Sequence, residues 1–226
     1  MQHVRSRRVL AAAALTVCAG LALTGCRSQP GVAAYVGNET LTEAQVDAVV
    51  DNATSLVPQS EGSHAPTRSE VVETFVLTQT CERLRAEQGF ALTAVSAAEV
   101  AQAQQVPAGS TYAQDRARMY SCLGGVKFPD QTKPTEEEAR AIYDRALKGG
   151  LNVGDWSEAR DLIINDAQLA QSVPVARELT KMVAAGDVTV NPRYRPMEFV
   201  LDDLSSGVGL VVVPLGEPGS DAVRDL

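Results

Sequence analysis

Read from its sequence, the chain is mainly α: a helical bundle with a small β-element built from short strands near its two ends. Two observations predict this. A Ser, Thr or Asp followed three residues later by Glu or Gln recurs at Thr42 with Gln45, Thr67 with Glu70, Ser96 with Glu99, Thr135 with Glu138, and Asp155 with Glu158. That spacing marks a helix start through reciprocal capping hydrogen bonds, and each site opens onto apolar residues at three- and four-residue intervals. Short apolar runs, Val32 to Val36, Val188 to Val190, Glu198 to Leu201 and Gly207 to Val213, lie instead toward the ends, punctuated by Gly and Pro; these read as strands.

The first 25 residues stand outside that fold. Arg5, Arg7 and Arg8 form a charged start, Val9 to Leu23 is an almost uncharged run rich in Ala and Leu, and small residues precede Cys26. This is the pattern of an export signal that is removed rather than folded. The run is too short and too rich in alanine for a membrane span, which needs about 20 strongly apolar residues.

Leu23-Thr24-Gly25-Cys26 resembles a bacterial lipobox, in which the chain is cut before the cysteine and the new N-terminus carries thioether-linked diacylglycerol. An ordinary secretory signal with an incidental cysteine is the plainer alternative. Each buried acyl methylene contributes about 0.8 kcal/mol of membrane affinity, so several chains together hold a protein firmly. The resemblance implies lipidation at Cys26, residues 26–30 as a tether, and a place at the cell membrane on its extracytoplasmic face.

Cutting there leaves 201 residues, enough for one domain with a real core. Three arginines and no acids leave with the signal, so the formal charge moves from −8 to −11. An acidic body without a Lys/Arg cluster excludes nucleic acid as a partner, and anionic lipid repels it, leaving the anchor as its membrane contact. Cys18 is discarded and Cys26 is taken by lipid, which leaves Cys81 and Cys122. In an oxidising compartment such a pair reads as a disulfide; two buried thiols behaving as small hydrophobes are the other reading.

Taken in order, Gly31 to Val36 ends at Gly37-Asn38, a tight turn from which Thr40-Leu41 returns as a hairpin. Val46, Val49 and Val50 line a first helix. Val71, Val72, Phe75, Val76, Leu77, Cys81 and Leu84 make the next one apolar on more than one face, hence central, and Gly89 is its stop. A weaker helix ends before Pro107, and Tyr112 to Leu123 stops at Gly124-Gly125. Glu136 to Lys148 is the cleanest helix, with Ala139, Ile142, Tyr143, Ala146 and Leu147 on one stripe and Gly149-Gly150 after it. Trp156 to Gly186 is helical around Pro174, which kinks or splits it; Ser172 offers a fresh cap there, so one helix and two are both open. The tail from Gly216 to Leu226 reads as frayed.

In this order, a lipobox, a strand reading Val32-Ala33-Ala34-Tyr35-Val36-Gly37-Asn38-Glu39-Thr40-Leu41-Thr42, a capped helix, a longer core helix and then Thr135-Glu136-Glu137-Glu138-Ala139-Arg140-Ala141-Ile142-Tyr143, the chain resembles the N-terminal chaperone domain of the SurA/PrsA export chaperones. That family opens Val-Ala-x-Val-Asn-Gly-x-x-Ile-Thr; here the turn order is Gly37-Asn38 and Leu41 replaces Ile. Trp156 to Ile163 and Val188 to Tyr194 are similar to its final helix start and closing strand. The likeness covers most of residues 31–195, with 196–226 as a C-terminal β extension and tail. It implies that 188–190 pairs beside 32–36, closing the bundle. Full members carry a parvulin prolyl isomerase between the last two helices matched here; only Gly149 to Gly154 connect them in this chain, which implies no isomerase.

Catalytic patterns are equally sparse. The mature chain has one histidine, His64, in a polar loop, so neither a Ser-His-Asp arrangement nor a His-rich metal site can be assembled. Glu136-Glu137-Glu138 suits a first helical turn, where negative charge complements the macrodipole. Asp202-Asp203 reads as turn chemistry. Ser205 to Gly209 lacks the spacing of a phosphate loop. Arg193-Tyr194-Arg195 is either a small recognition patch or a structural strand end with Tyr194 over the core edge, and Trp156 reads as a core anchor.

No enzyme, metal or cofactor is therefore expected. The resemblance implies a lipid-anchored, chaperone-like module that binds unfolded or extended exported polypeptides in an apolar groove with an acidic rim. The alternative is a scaffold or adaptor lipoprotein binding one specific cell-envelope protein.

Overall fold

β1 (Val32–Val36) is the centre of a three-stranded antiparallel sheet, flanked by β2 (Glu39–Thr42) and, from the far end of the chain, β3 (Val188–Val190). The register sets Val36 opposite Glu39 on one side and Ala34 opposite Val190 on the other. The expected pairing of the two ends is thus present. Gly37 makes the turn at φ +58°, a left-handed conformation glycine adopts without a Cβ penalty. Past β3, Asn191 clips the join, its backbone N–H donating to Ala33 and its side-chain amide to Val32.

This computed structural model describes residues 30–203 and 207–216. The expected signal, Cys26, most of the tether and the tail 217–226 lie outside the described residues.

Seven α-helices follow among the described residues: α1 (Glu43–Leu56), α2 (Arg68–Gln88), α3 (Ala97–Gln104), α4 (Thr111–Leu123), α5 (Glu136–Lys148), α6 (Trp156–Asn165) and α7 (Leu169–Ala185). The capping boxes at Thr42, Thr67, Ser96 and Thr135 all form. At Asp155 the side chain makes no capping bond, and α4 starts instead on Ser110, whose hydroxyl accepts from the Ala113 N–H at 3.2 Å. Gly89 ends α2 at φ +72°.

α2 is the central helix. Val72, Val76, Leu77 and Cys81 are fully buried, and three threonines join them because each hydroxyl donates to a carbonyl one turn back: Thr74 to Glu70, Thr78 to Thr74, Thr80 to Val76. A hydroxyl satisfied within its own helix can enter an apolar core at little cost. α4 packs alongside, and Cys81 is joined to Cys122 by a disulfide, both residues fully buried. The two-thiol alternative is thereby set aside.

The stretch 156–186 is two helices, but the break is not at Pro174. It falls at Asp166, whose carboxylate accepts from the N–H groups of Gln168 and Leu169 at 2.8 and 2.9 Å, the turn chemistry Asp favours. Ser172 lies inside α7 and its hydroxyl donates back to Gln168 and across to Asp202.

Beyond β3 the chain makes a 3-10 turn (Pro192–Tyr194) and a hairpin of β4 (Glu198–Asp203) and β5 (Gly209–Pro214). This extension belongs to the same core: Met197, Phe199, Val213 and Leu215 are buried in the main cluster, while Val211 packs with Ile142, Leu169 and Val173. Asp202 is a correction to the turn expectation. It sits within β4, 6% exposed, accepting from Gln168 Nε2 at 2.7 Å and Ser172 Oγ at 3.1 Å.

Candidate functional site

The helical stripe of α5 that looks away from the central helix carries Glu138, Ala141, Ile142 and Arg145, at spacings of three and four. The first turns of α7 offer Val173, Ala176 and Arg177 to it, and Leu210, Val211 and Val212 of β5 form a wall. Between them is an open groove of about 420 Å³ whose surface is chiefly apolar. It exists because α5 and α7 present small residues, Ala141 and Ala176, where larger side chains would close the gap.

Charge surrounds this groove in pairs. Arg177 grips Glu138 with two hydrogen bonds of 2.5 and 2.6 Å, and Arg145 grips Glu198 of β4 at 2.7 and 3.0 Å. The Arg177 guanidinium, aided by the Thr135 cap, holds the Glu138 carboxyl down to about 2 although partial burial opposes it. Glu138 thus serves twice, capping α5 and tying it to α7. At the open end Lys181 pairs with Glu178 at 2.6 Å. The expected acidic rim is therefore not what borders this groove: Arg145, Arg177 and Lys181 line it with Glu138, and each of these bases is ion-paired to a carboxylate, of which only Glu138 itself lines the groove.

A smaller, more enclosed hollow of about 260 Å³ lies on the other side of α7, where Leu84 and Gln88 of α2 meet Val126, Phe128, Met182 and Ala185. Lys181 borders both.

The other residues singled out from the sequence take structural places. His64 is exposed in its loop, its backbone N–H donating to Gln105. Glu136 pairs with Arg160, and among the described residues no group of three His, Cys, Asp or Glu is placed to hold a metal ion. Tyr194 is buried and its hydroxyl donates to Glu43 Oε2 at 2.6 Å, where Arg68 also binds and Arg193 approaches the other oxygen at 3.3 Å. That cluster locks the turn after β3 onto the first residue of α1, the strand-end reading.

Trp156 is half-buried rather than a core residue. It meets Tyr143 edge-on at 5.3 Å between centroids, and Arg140 lies over both rings. The Tyr143 hydroxyl donates to the Gly154 carbonyl at 2.8 Å, pinning the short 149–154 connection to α5.

Sequence reasoning missed one buried ionic cluster. Arg116 of α4 binds Glu73 of α2 at 2.5 Å and the Tyr120 hydroxyl at 3.0 Å, under the rings of Tyr112 and Tyr120. Burial raises the Glu73 carboxyl even though Arg116 pulls it the other way, and pushes the Tyr112 hydroxyl up to about 12. An arginine in the middle of an otherwise apolar stripe was the available signal.

No family model matches the chain, and neither a curated protein nor a solved structure matches it.

Proposed function

We propose that this chain is a lipid-anchored, chaperone-like holder on the extracytoplasmic face of the cell membrane, binding unfolded or extended exported polypeptides without prolyl isomerase activity. The observation that carries the reading is the open groove between α5, α7 and β5, apolar on its floor and bordered by bases held in ion pairs. Such a surface suits weak, adaptable contact with apolar side chains. The Cys81–Cys122 disulfide supports an oxidising compartment, and the SurA/PrsA resemblance with the Cys26 lipobox supports export and anchoring.

The test is aggregation of a denatured client with and without the mature, lipid-free chain. Delay is expected, and Ala141→Asp, which places a charge on an exposed position of the groove, is expected to weaken it. Indifference of the client at stoichiometric excess of the protein would count against the reading. Anchoring is checked separately, by detergent partitioning of the native protein against a Cys26→Ser form.

One observation favours the alternative, a scaffold for a single envelope partner: β5, which belongs to the extension beyond the resemblance at 31–195, walls one side of the groove. Pull-down from membranes separates the two. One stoichiometric partner supports the scaffold, and many polypeptides support the holder.

A further inference from the structure

We propose that an extended, uncharged polypeptide segment adds to the free edge of β5 as a third strand, laying apolar side chains into the groove between α5 and α7. This rests on the holder reading and specifies how the client is gripped.

The phase of the ladder establishes which atoms are free. Leu215 N–H donates to the Met197 carbonyl at 2.9 Å, and Val213 lies opposite Phe199. In an antiparallel pair alternate residues turn both backbone groups toward the partner strand, so Val213 and Leu215 face β4. Val212 turns its groups outward, whereas Leu210 sits at a register shift between the pairs Asp202–Val211 and Asp203–Gly209, where that alternation breaks. β4 and β5 form a sheet of two strands, so among the described residues no third strand pairs with this edge.

The groove meets that edge. Val211 and Val212 both line it, yet successive strand side chains point to opposite faces, so the groove reaches the strand's edge between them. Leu210 lines it too, at the register shift.

Charge selects the occupant. Glu138 with Arg177, Arg145 with Glu198, and Lys181 with Glu178 already compensate one another, so a charged segment has to displace an existing partner, which an uncharged one does not. An acyl chain would fill the floor but leave the outward N–H and C=O groups of Val212 unanswered. An added strand covers the floor and pairs those groups at the usual ~4.8 Å spacing.

The experiment uses the mature chain and a short fluorescent peptide of alternating valine and threonine, followed by anisotropy. Two further peptides carry N-methyl groups on every second amide, in the two possible phases. Strand addition predicts that one phase binds like the parent and the other loses about tenfold, the worth of a hydrogen bond or two. Val212→Pro deletes an outward N–H without removing a β4–β5 bond, a replacement edge strands tolerate. It is expected to weaken the parent peptide similarly, with unchanged denaturant unfolding as the check on folding.

Equal affinity for both methylated phases, in a protein that still delays client aggregation, overturns strand addition and leaves the holder reading intact. No peptide binding and no effect on aggregation sinks both. Peptide binding seen only after removal of residues 217–226, or a dimer abolished by Val212→Pro, makes the chain's own tail or a second copy the occupant and overturns the proposal.

Discussion

The Thr132 N–H donates to the Ala170 carbonyl at 3.0 Å, and Ala170 is the residue four positions before Pro174. Proline has no N–H to offer that carbonyl, so a helix containing it normally loses a bond and kinks. Here the loop before α5 supplies the missing donor, and α7 runs through Pro174 from Leu169 to Ala185. Pro174→Ala restores the in-helix donor. Faster hydrogen exchange at the Thr132 amide is expected, with a change in stability within about 1 kcal/mol because a helix-favouring residue replaces a buried ring. Unchanged exchange at Thr132 would show that the loop contact is independent of the proline.

The disulfide closes a loop across 41 residues. Loop-closure entropy of that size corresponds to about 4 kcal/mol in the unfolded chain, and measured values are commonly 2–4 kcal/mol. A Cys81→Ala/Cys122→Ala double variant is expected to unfold at lower urea concentration by that margin. With both cysteines fully buried, reduction of the native wild type is expected to require opening of the α2–α4 packing. Rapid reduction under native conditions, followed by thiol titration, would contradict this.

Arg116 and Glu73 form a buried pair, 9% and 16% exposed in their side chains. Removing one partner strands the other's charge, so Arg116→Met is expected to cost about 3–5 kcal/mol, and adding Glu73→Gln to recover part of that loss. A double-mutant cycle in urea measures the coupling. Strict additivity would mean the two charges do not interact.

Glu138 and Arg177 set a pH dependence. The folded carboxyl titrates at about 2, whereas an unfolded glutamate titrates near ~4.3. Between those values the unfolded chain binds more protons, so the contribution is complete above the upper value and lost as pH falls toward the lower. Both side chains are about a third exposed, 33% and 29%, and solvent screening reduces the contribution to about 1 kcal/mol. Arg177→Met is expected to be less stable than wild type by that amount at neutral pH. Denaturation curves at about pH 7, 4 and 2 should show the gap closing across the lower two; a constant gap would assign the loss to packing.

Asp202 holds the hairpin to the start of α7 through Gln168 and Ser172. Asp202→Ala removes the acceptor of the exposed Gln168 amide and leaves the half-buried Ser172 hydroxyl only the Gln168 carbonyl, at an expected cost of about 0.5–1.5 kcal/mol. Loosening would show as earlier proteolysis within β4–β5 than in wild type.

Helix starts, strand positions and the central rank of α2 were legible in the sequence because they depend on partners three or four residues away. Thr42, Thr67, Ser96 and Thr135 each find their capping partner within one turn, and the apolar stripe of α5 is complete within thirteen residues. At Ser172 and Asp202 local reading failed because a distant competitor won. Ser172 was drawn to Asp202, thirty positions away, and Asp202 to the helix it faces rather than to a turn. The groove lay beyond local reading altogether, since it joins residues from Glu138 to Val212 and depends on how α5, α7 and β5 are placed around it. Glu138 announced itself as a cap, but its grip on Arg177 across 39 residues, like the free edge of β5, was decided by packing: non-local contacts are selected by the shape of the whole core, which no short window contains.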